Sequence, residues 1–163
     1  MSQPDLDLHI QFDYAHPELN TEAVTLWVRT TLHELQALYA QSQDLPPYQA
    51  VALGIRFCDR AEALELNQTY RHKDYAPNVL SFEYGIDPTG TLNGDIIICV
   101  PVLMAEALEQ HKTLSQHAAH LCIHGVLHTF GYDHIDEADA EDMEALEIHV
   151  LQQLHIANPY LTT

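Results

Sequence analysis

Positive charge is scarce in this sequence. Its 163 residues include 24 Asp and Glu but only 6 Lys and Arg, which gives a formal net charge of −18. Proteins that hold nucleic acid without specificity, through its phosphates, normally present a basic surface, so the composition argues against that class of binding. Four of the cations nevertheless lie within eighteen residues, at Arg56, Arg60, Arg71 and Lys73. An acidic chain can therefore still carry one local basic site.

Cysteine is also scarce, and long apolar runs are absent. Cys58, Cys99 and Cys122 form no Cys-x-x-Cys pair, which argues against a disulfide framework and a four-thiolate zinc site. The longest apolar stretch, around residues 96–104, contains Pro101 and is too short to cross a bilayer. The first residues lack the basic and apolar regions of a signal peptide. We therefore expect a cytoplasmic protein with buried free thiols and no membrane partner.

Hydrophobic periodicity predicts strands early in the chain and helices late. Alternation predicts strands at 8–12 and 51–57, and β-rich runs predict two more at 78–82 and 95–99. Helical spacing predicts five helices, the last three at about 101–112, 115–130 and 136–154. The expected N-caps are Asn20, Asp59, Ser115 and Asp136. The sequence predicts an α+β fold in which one domain, residues 1–163, has a roughly four-stranded mixed sheet covered by about five helices.

Two histidines of the fourth predicted helix, His124 and His128, are four residues apart. This spacing places both side chains on one helix face, about one turn apart, where they can share a metal ion. The pair alone is weak evidence, because about one His-x-x-x-His pair is expected by chance in a chain with 12 histidines. The alternative is that they are surface or core residues of a His-rich chain.

The residues that follow strengthen the metal interpretation. Gly131 suits the left-handed conformation that ends a helix, and the next turn can return His134 toward His124 and His128. Three neutral imidazoles suit Zn²⁺ and leave its fourth position open, as in catalytic zinc sites. Asp133 either orients one of these ligands through a hydrogen bond or is only a turn residue. The zinc site is thus expected at the end of a long helix.

The residues around His124 and His128 limit the kinds of reaction that a zinc site here could catalyse. His117 and His120 lie on the same helical stripe, and we expect them to be solvated or to lie behind the ligands, whereas Cys122 should point into the core. Zinc peptidases with this histidine spacing carry Glu directly after the first histidine, as the general base. Gly125 occupies that position here, which makes a peptidase the less favoured interpretation.

The run from His124 to His134, HGVLHTFGYDH, resembles the signature of the bacterial YbeY endoribonucleases. The resemblance continues at 66–74 (LNQTYRHKD), 78–82 (NVLSF), 94–98 (GDIII) and in the acidic helix around 141–147, and it covers about half of the chain in the expected order. Two residues depart from the family pattern. Pro77 stands where we expect Thr, and Glu83 stands where Pro is common, so the loop and the strand end near the site are expected to differ in shape.

The family resemblance implies a single zinc-dependent endoribonuclease domain, specific for single strands, with ribosomal RNA and the ribosome or its assembly factors as partners and no DNA. The implied role is maturation of the 3′ end of 16S ribosomal RNA and ribosome quality control. The resemblance makes His124, His128 and His134 the ligands of one zinc ion and Arg71 the functional arginine.

Other assignments stay open at this stage. Lys73 is a weaker candidate for a phosphate contact, because a flexible point charge is less directional than a guanidinium. Without the surrounding motif, Arg71 would be interpreted as part of a surface salt bridge, for example to Asp74. The alternatives in function are a zinc metallopeptidase-like hydrolase and a non-catalytic ribosome-assembly factor with a structural zinc. The sequence identifies neither the general base nor the nucleophile.

Overall fold

Four strands form one mixed sheet in the order β1-β2-β4-β3. In the computed structural model, which describes residues 4–132 and 137–161, the strands are β1 (Asp5–Phe12), β2 (Ala50–Cys58), β3 (Val79–Ile86) and β4 (Thr91–Cys99). The first, second and fourth strands run parallel, and β3 pairs antiparallel with β4 at the edge. All four predicted strands are present. β3 and β4 are longer than predicted, because their pairing continues almost to the turn that joins them.

The helices are α1 (Thr21–Gln41), α2 (Arg60–Arg71), α3 (Val100–Glu109), α4 (Leu114–Thr129) and α5 (Glu137–Gln153). Asn20 and Asp59 cap the first two helices through their side chains, as predicted. The prediction of Ser115 as the cap of α4 is wrong. Thr113 caps this helix in a reciprocal pair with Gln116, in which each side chain accepts a hydrogen bond from the other residue's backbone N–H. Asp136, the predicted cap of α5, lies outside the described residues.

The two faces of the sheet are covered unequally. The main hydrophobic core lies between one face of the sheet and α1, α4 and α5, and a smaller core lies under α2 on the opposite face. The alternation of β2 explains this division, because Leu53 and Ile55 face the main core whereas Cys58 faces the smaller one. The predicted single α+β domain with a four-stranded mixed sheet and five helices is therefore confirmed.

The three cysteines meet a further expectation. Cys58, Cys99 and Cys122 are free and buried, and burial raises the pKa of the Cys122 thiol to about 12. No helix within 4–132 and 137–161 is long and apolar enough to span a membrane.

Helix α4 approaches the sheet closely at Gly125. A Cβ atom at this position would lie 2.7 Å from Cγ2 of Ile96 on β4 and 3.2 Å from Oγ of Ser81 on β3. Glycine therefore allows the helix backbone to rest directly on the sheet. The contact fixes α4 across β3 and β4, and it places residues 124 and 128 beside the edge strand β3.

Candidate active site

The imidazoles of His124 and His128 converge at the C-terminal half of α4. Their Nε2 atoms are 3.0 Å apart, and their ring centroids are 4.5 Å apart. Two nitrogen ligands of one tetrahedral zinc, at bonds of about 2.0 Å, lie roughly 3.3 Å from each other. The observed spacing is close to this value, so the pair fits a shared metal ion with little movement.

Helix α4 ends in the turn that the sequence indicates. Gly131 has a φ of +95°, and the N–H groups of Gly131 and Tyr132 donate to the carbonyls of His128 and Leu127 at 3.0 and 3.1 Å. This is a Schellman ending, which favours glycine at the left-handed position. The turn directs the chain away from the helix axis just beyond the two histidines.

His134 and Asp133 lie outside the described residues. Their predicted roles, as third ligand and as orienting residue, therefore stay predictions. Within 4–132 and 137–161, no three His, Cys, Asp or Glu side chains form a group that could hold a metal. A three-histidine site on this helix therefore depends on His134.

A cleft of about 470 Å³ opens in front of the histidine pair. It is lined by residues from α2, β3 and the end of α4, namely Arg71, Val79, Leu80, Ser81, Glu83, His124, His128 and Tyr132. The cleft thus brings the predicted arginine and two of the predicted zinc ligands to one surface, although 53 positions separate Arg71 from His124. Tertiary folding therefore places a cation and two neighbouring imidazoles on the wall of one cleft.

Arg71 is held in place by two neutral groups. Its Nη2 donates to the Ser81 carbonyl at 2.8 Å, and its Cζ lies 5.3 Å from the centroid of the Phe82 ring. The carboxylate of Asp74 instead accepts a hydrogen bond from Gln68 at 2.6 Å. A carbonyl and a ring orient the guanidinium without cancelling its charge.

Lys73 lines an adjoining cleft of about 510 Å³. Arg71, Val79 and Leu80 line both clefts, so the two clefts share part of a wall. Arg56 forms an ion pair with Glu62. Of the four clustered cations, Arg71 and Lys73 are the two that line these clefts.

The structure also shows what lies behind the histidine pair. Glu147 of α5 is completely buried, and its Oε1 lies 2.8 Å from Nδ1 of His124 and 3.2 Å from Nε2 of His120. The hydroxyl of Tyr160 donates to Oε2 of the same carboxylate at 2.7 Å. His120 therefore lies behind a predicted ligand, as expected.

The environment keeps the Glu147 carboxylate ionised. Burial by itself raises its pKa, but hydrogen bonds from His120, His124 and Tyr160, with the charge of His124, lower the pKa to about 2. Burial and the adjacent carboxylate raise the pKa of the Tyr160 phenol. The phenol is thus a stable donor and the carboxylate a stable acceptor.

His117 departs from the sequence prediction. It is 3 % exposed, and its Nε2 lies 2.9 Å from Oε1 of Glu106, so it is neither solvated nor placed behind the predicted ligands. Burial lowers the pKa of its imidazole despite this carboxylate. Along α4, the histidines at the start of the helix face α3, and those at its end face the cleft. His117 therefore has different surroundings from His124 and His128.

The contacts of Glu147 and Tyr160 beside the histidine pair were not predicted from the sequence. Glu147 lies four residues after Met143 and four before Leu151, both fully buried, so its position on the apolar face of α5 was the available signal. The sequence indicates only an acidic helix around 141–147, without a separate role for Glu147. Tyr160 offers no periodic signal, because it lies beyond the end of α5.

The comparisons with known proteins agree with the geometry. The family model described as Endoribonuclease YbeY matches residues 9–155. Proteins named Endoribonuclease YbeY are 46 % identical over 159 residues in Bordetella avium, covering 98 % of this chain and 96 % of the relative, and 48 % identical over 157 residues in Bordetella petrii, covering 96 % and 98 %. The solution structure of a Thermotoga maritima protein has a TM-score of 0.54 over 91 % of both chains at 19 % identity, which shows the same fold. This chain belongs to the endoribonuclease YbeY family.

Proposed function

We propose that this chain is a zinc-dependent endoribonuclease that cleaves single-stranded RNA in the cytoplasm. The proposed role is maturation of the 3′ end of 16S ribosomal RNA and ribosome quality control. The observation that carries the proposal is the cleft in which Arg71 faces the His124 and His128 pair. Family membership and the relatives' name supply the RNA substrate.

The proposed zinc ligands are His124, His128 and His134. The 3.0 Å spacing of the first two Nε2 atoms supports a shared metal, and neutral imidazole is a preferred zinc ligand. When bound, zinc supplies a Lewis acid for a phosphate oxygen or for an attacking water. Asp133 is proposed to hold one ligand in orientation.

Arg71 is the proposed catalytic residue, because its guanidinium can bind the scissile phosphate. Phosphodiester cleavage adds negative charge to the phosphoryl oxygens in the transition state, and a guanidinium already in place stabilises that charge without reorganisation. The Ser81 carbonyl and the Phe82 ring provide this fixed orientation.

Lys73 is proposed to contact a phosphate of a neighbouring nucleotide. It lines the adjoining cleft and not the one that contains the histidines, so it is unsuited to the scissile phosphate itself. Together the two cations offer a short path for a single RNA strand. With a net charge of −18 on the whole chain, further attraction to ribosomal RNA is proposed to come from the ribosome or its assembly factors.

The peptidase alternative has little support in the geometry. Gly125, the position of the peptidase base, faces Ile96 and Ser81 under the helix, so a carboxylate there would clash with the sheet before it reached the cleft. The assembly-factor alternative predicts zinc binding without RNA cleavage.

The test compares Arg71→Ala and Arg71→Lys with the unmodified protein on defined single-stranded and duplex RNA. Because one charged donor to the transition state is removed, we expect Arg71→Ala to lower kcat roughly 100-fold on single strands, with partial recovery in Arg71→Lys. Arg29→Ala is the matched control, since Arg29 is exposed on α1, outside both clefts. Equal cleavage by Arg71→Ala, or activity on peptides only, would refute the proposal. The ends of the products identify the nucleophile, since a cyclic phosphate requires attack by the 2′-hydroxyl.

A further inference from the structure

Glu147 is a buried charge in an unusual position. Its side chain is fully enclosed between α4, α5 and the residues that follow α5, 154–161, which we call the C-terminal segment. It accepts hydrogen bonds from His124 and Tyr160 and lies 3.2 Å from a nitrogen of His120. A buried carboxylate is costly unless it is paired and hydrogen-bonded. A leucine of similar size would fit an ordinary helix interface, so the carboxylate points to a role in the adjacent site.

The contact with His124 determines which nitrogen faces the cleft. An ionised carboxylate accepts only, so the proton of the neutral imidazole that a metal requires must be on Nδ1, where Glu147 lies at 2.8 Å. The lone pair is then on Nε2, the atom that points toward His128. This is the tautomer that a metal ligand needs, and the hydrogen bond also makes the imidazole a better donor to a metal.

Glu147 itself is not placed to be a ligand. Its Oε1 is used by His124 and its Oε2 by Tyr160, and the side chain has no exposed surface. Its effect on the cleft therefore passes through the His124 ring.

Tyr160 holds the carboxylate from the opposite side. Its hydroxyl donates to Oε2 at 2.7 Å, and its ring packs edge-on against His120 with centroids 5.4 Å apart. A local turn fixes the residue, because its backbone N–H donates to the Asn158 side chain at 2.8 Å. The C-terminal segment thus packs against α4, the helix that carries His120, His124 and His128.

We infer that Glu147 and Tyr160 are positioning residues that set the affinity of the site for zinc, with His124 as the group through which they act. The inference deepens the proposed function and rests on its assignment of His124 as a ligand. The C-terminal segment then belongs to the metal site, although it contains none of the ligands.

The test measures zinc affinity directly, by competition with a chromophoric chelator, on Glu147→Gln and Tyr160→Phe. Orienting partners of metal-bound histidines typically contribute 10- to 100-fold in affinity, so we expect about that loss for Glu147→Gln and roughly 10-fold for Tyr160→Phe. The visible absorption of bound Co²⁺ should also change in both variants, because the geometry of the ligand field changes. A merely structural role would leave this spectrum unaltered.

Two matched controls are available elsewhere in the chain. Glu34→Gln alters a carboxylate that lies 2.8 Å from Nε2 of His149, and Tyr84→Phe removes a hydroxyl that donates to Asp95 at 2.9 Å. Both should bind zinc as the unmodified protein does. If Glu147→Gln fails to fold, Tyr160→Phe alone decides the test. This change removes only the hydroxyl that donates to Glu147, from a residue outside the helices and strands.

The result that overturns the inference is zinc affinity within twofold of the unmodified protein in folded Tyr160→Phe and Glu147→Gln, with an unchanged Co²⁺ spectrum. The proposed function is assessed separately, by RNA cleavage with the unmodified protein at saturating zinc. The variants could lose zinc affinity while the unmodified protein cleaves no RNA. That result would support the positioning role of Glu147 and Tyr160 and would refute the proposed nuclease activity.

Discussion

At the scale of single residues, the cleft contains an acidic side chain that works against its proposed substrate. Glu83 lines the same cleft as Arg71 and the histidine pair, and it stands where the family resemblance leads us to expect proline. It also lies at the register shift between β3 and β4, where a bulge directs side chains differently from the regular strand. Glu83, which departs from the family pattern, therefore lies in the proposed active-site cleft.

We predict that Glu83→Gln binds single-stranded RNA more tightly. Removing one negative charge from the cleft lowers the repulsion of the phosphates, so KM should fall about two- to threefold at low salt while kcat stays constant. The difference should disappear as salt screens the charges, and Glu109→Gln, an exposed site on α3, should show no change. An unchanged or increased KM at low salt would contradict this interpretation of Glu83.

Residue identity alone predicted the parts of the site that have a strong local signal. His124, His128 and Gly131 belong to one continuous motif, and their geometry on α4 follows from helix spacing and a known helix ending. The surroundings of Glu147 did not follow, because its partners His124 and Tyr160 lie 23 and 13 positions away. Such contacts arise only when α4, α5 and the C-terminal segment pack together.

At the scale of the elements, the packing of α4 on the sheet depends on glycine. Intrinsic helix propensity favours alanine over glycine by about 1 kcal/mol, so an isolated helix would gain from Gly125→Ala. In the folded chain the new methyl group would lie 2.7 Å from Ile96, closer than two carbon atoms tolerate. At position 125, the steric cost of a methyl group against the sheet therefore outweighs the higher helix propensity of alanine.

We predict that Gly125→Ala lowers the free energy of unfolding by about 1–3 kcal/mol, the usual cost of overpacking, despite its better propensity. Urea unfolding of the metal-free protein measures this. Ala105→Gly, at an exposed position of α3, reports propensity alone and should cost about 1 kcal/mol. A stabilised Gly125→Ala variant would show that α4 can lift from the sheet without penalty.

The elements were largely predictable, and their caps less so. Asn20 and Asp59 cap helices as their sequences indicate, since an Asn or Asp just before an apolar pattern has few competing roles. The sequence suggested Ser115 as the cap of α4, but Thr113 caps it because Gln116 completes the reciprocal pair. The choice depends on the residue three positions later.

At the scale of the whole molecule, the order of the strands could not be read from the sequence. The alternation of β2 shows which face is buried, but nothing local reveals that β4 inserts between β2 and β3. This insertion makes β3 an edge strand and leaves its Ser81 carbonyl beside the end of α2, where it holds Arg71. The two neighbouring clefts are therefore a product of topology, and together they bring Arg71 and Lys73 to one side of a chain whose net charge is −18.

The most direct test of the account is RNA cleavage by metal-free protein to which zinc is returned in measured amounts. We predict that chelation abolishes cleavage of single-stranded RNA and that about one zinc ion per chain restores it, because His124, His128 and His134 are proposed to hold a single ion. His128→Ala should stay inactive at the same zinc concentration. Undiminished cleavage by the metal-free protein, or by His128→Ala, would contradict the account.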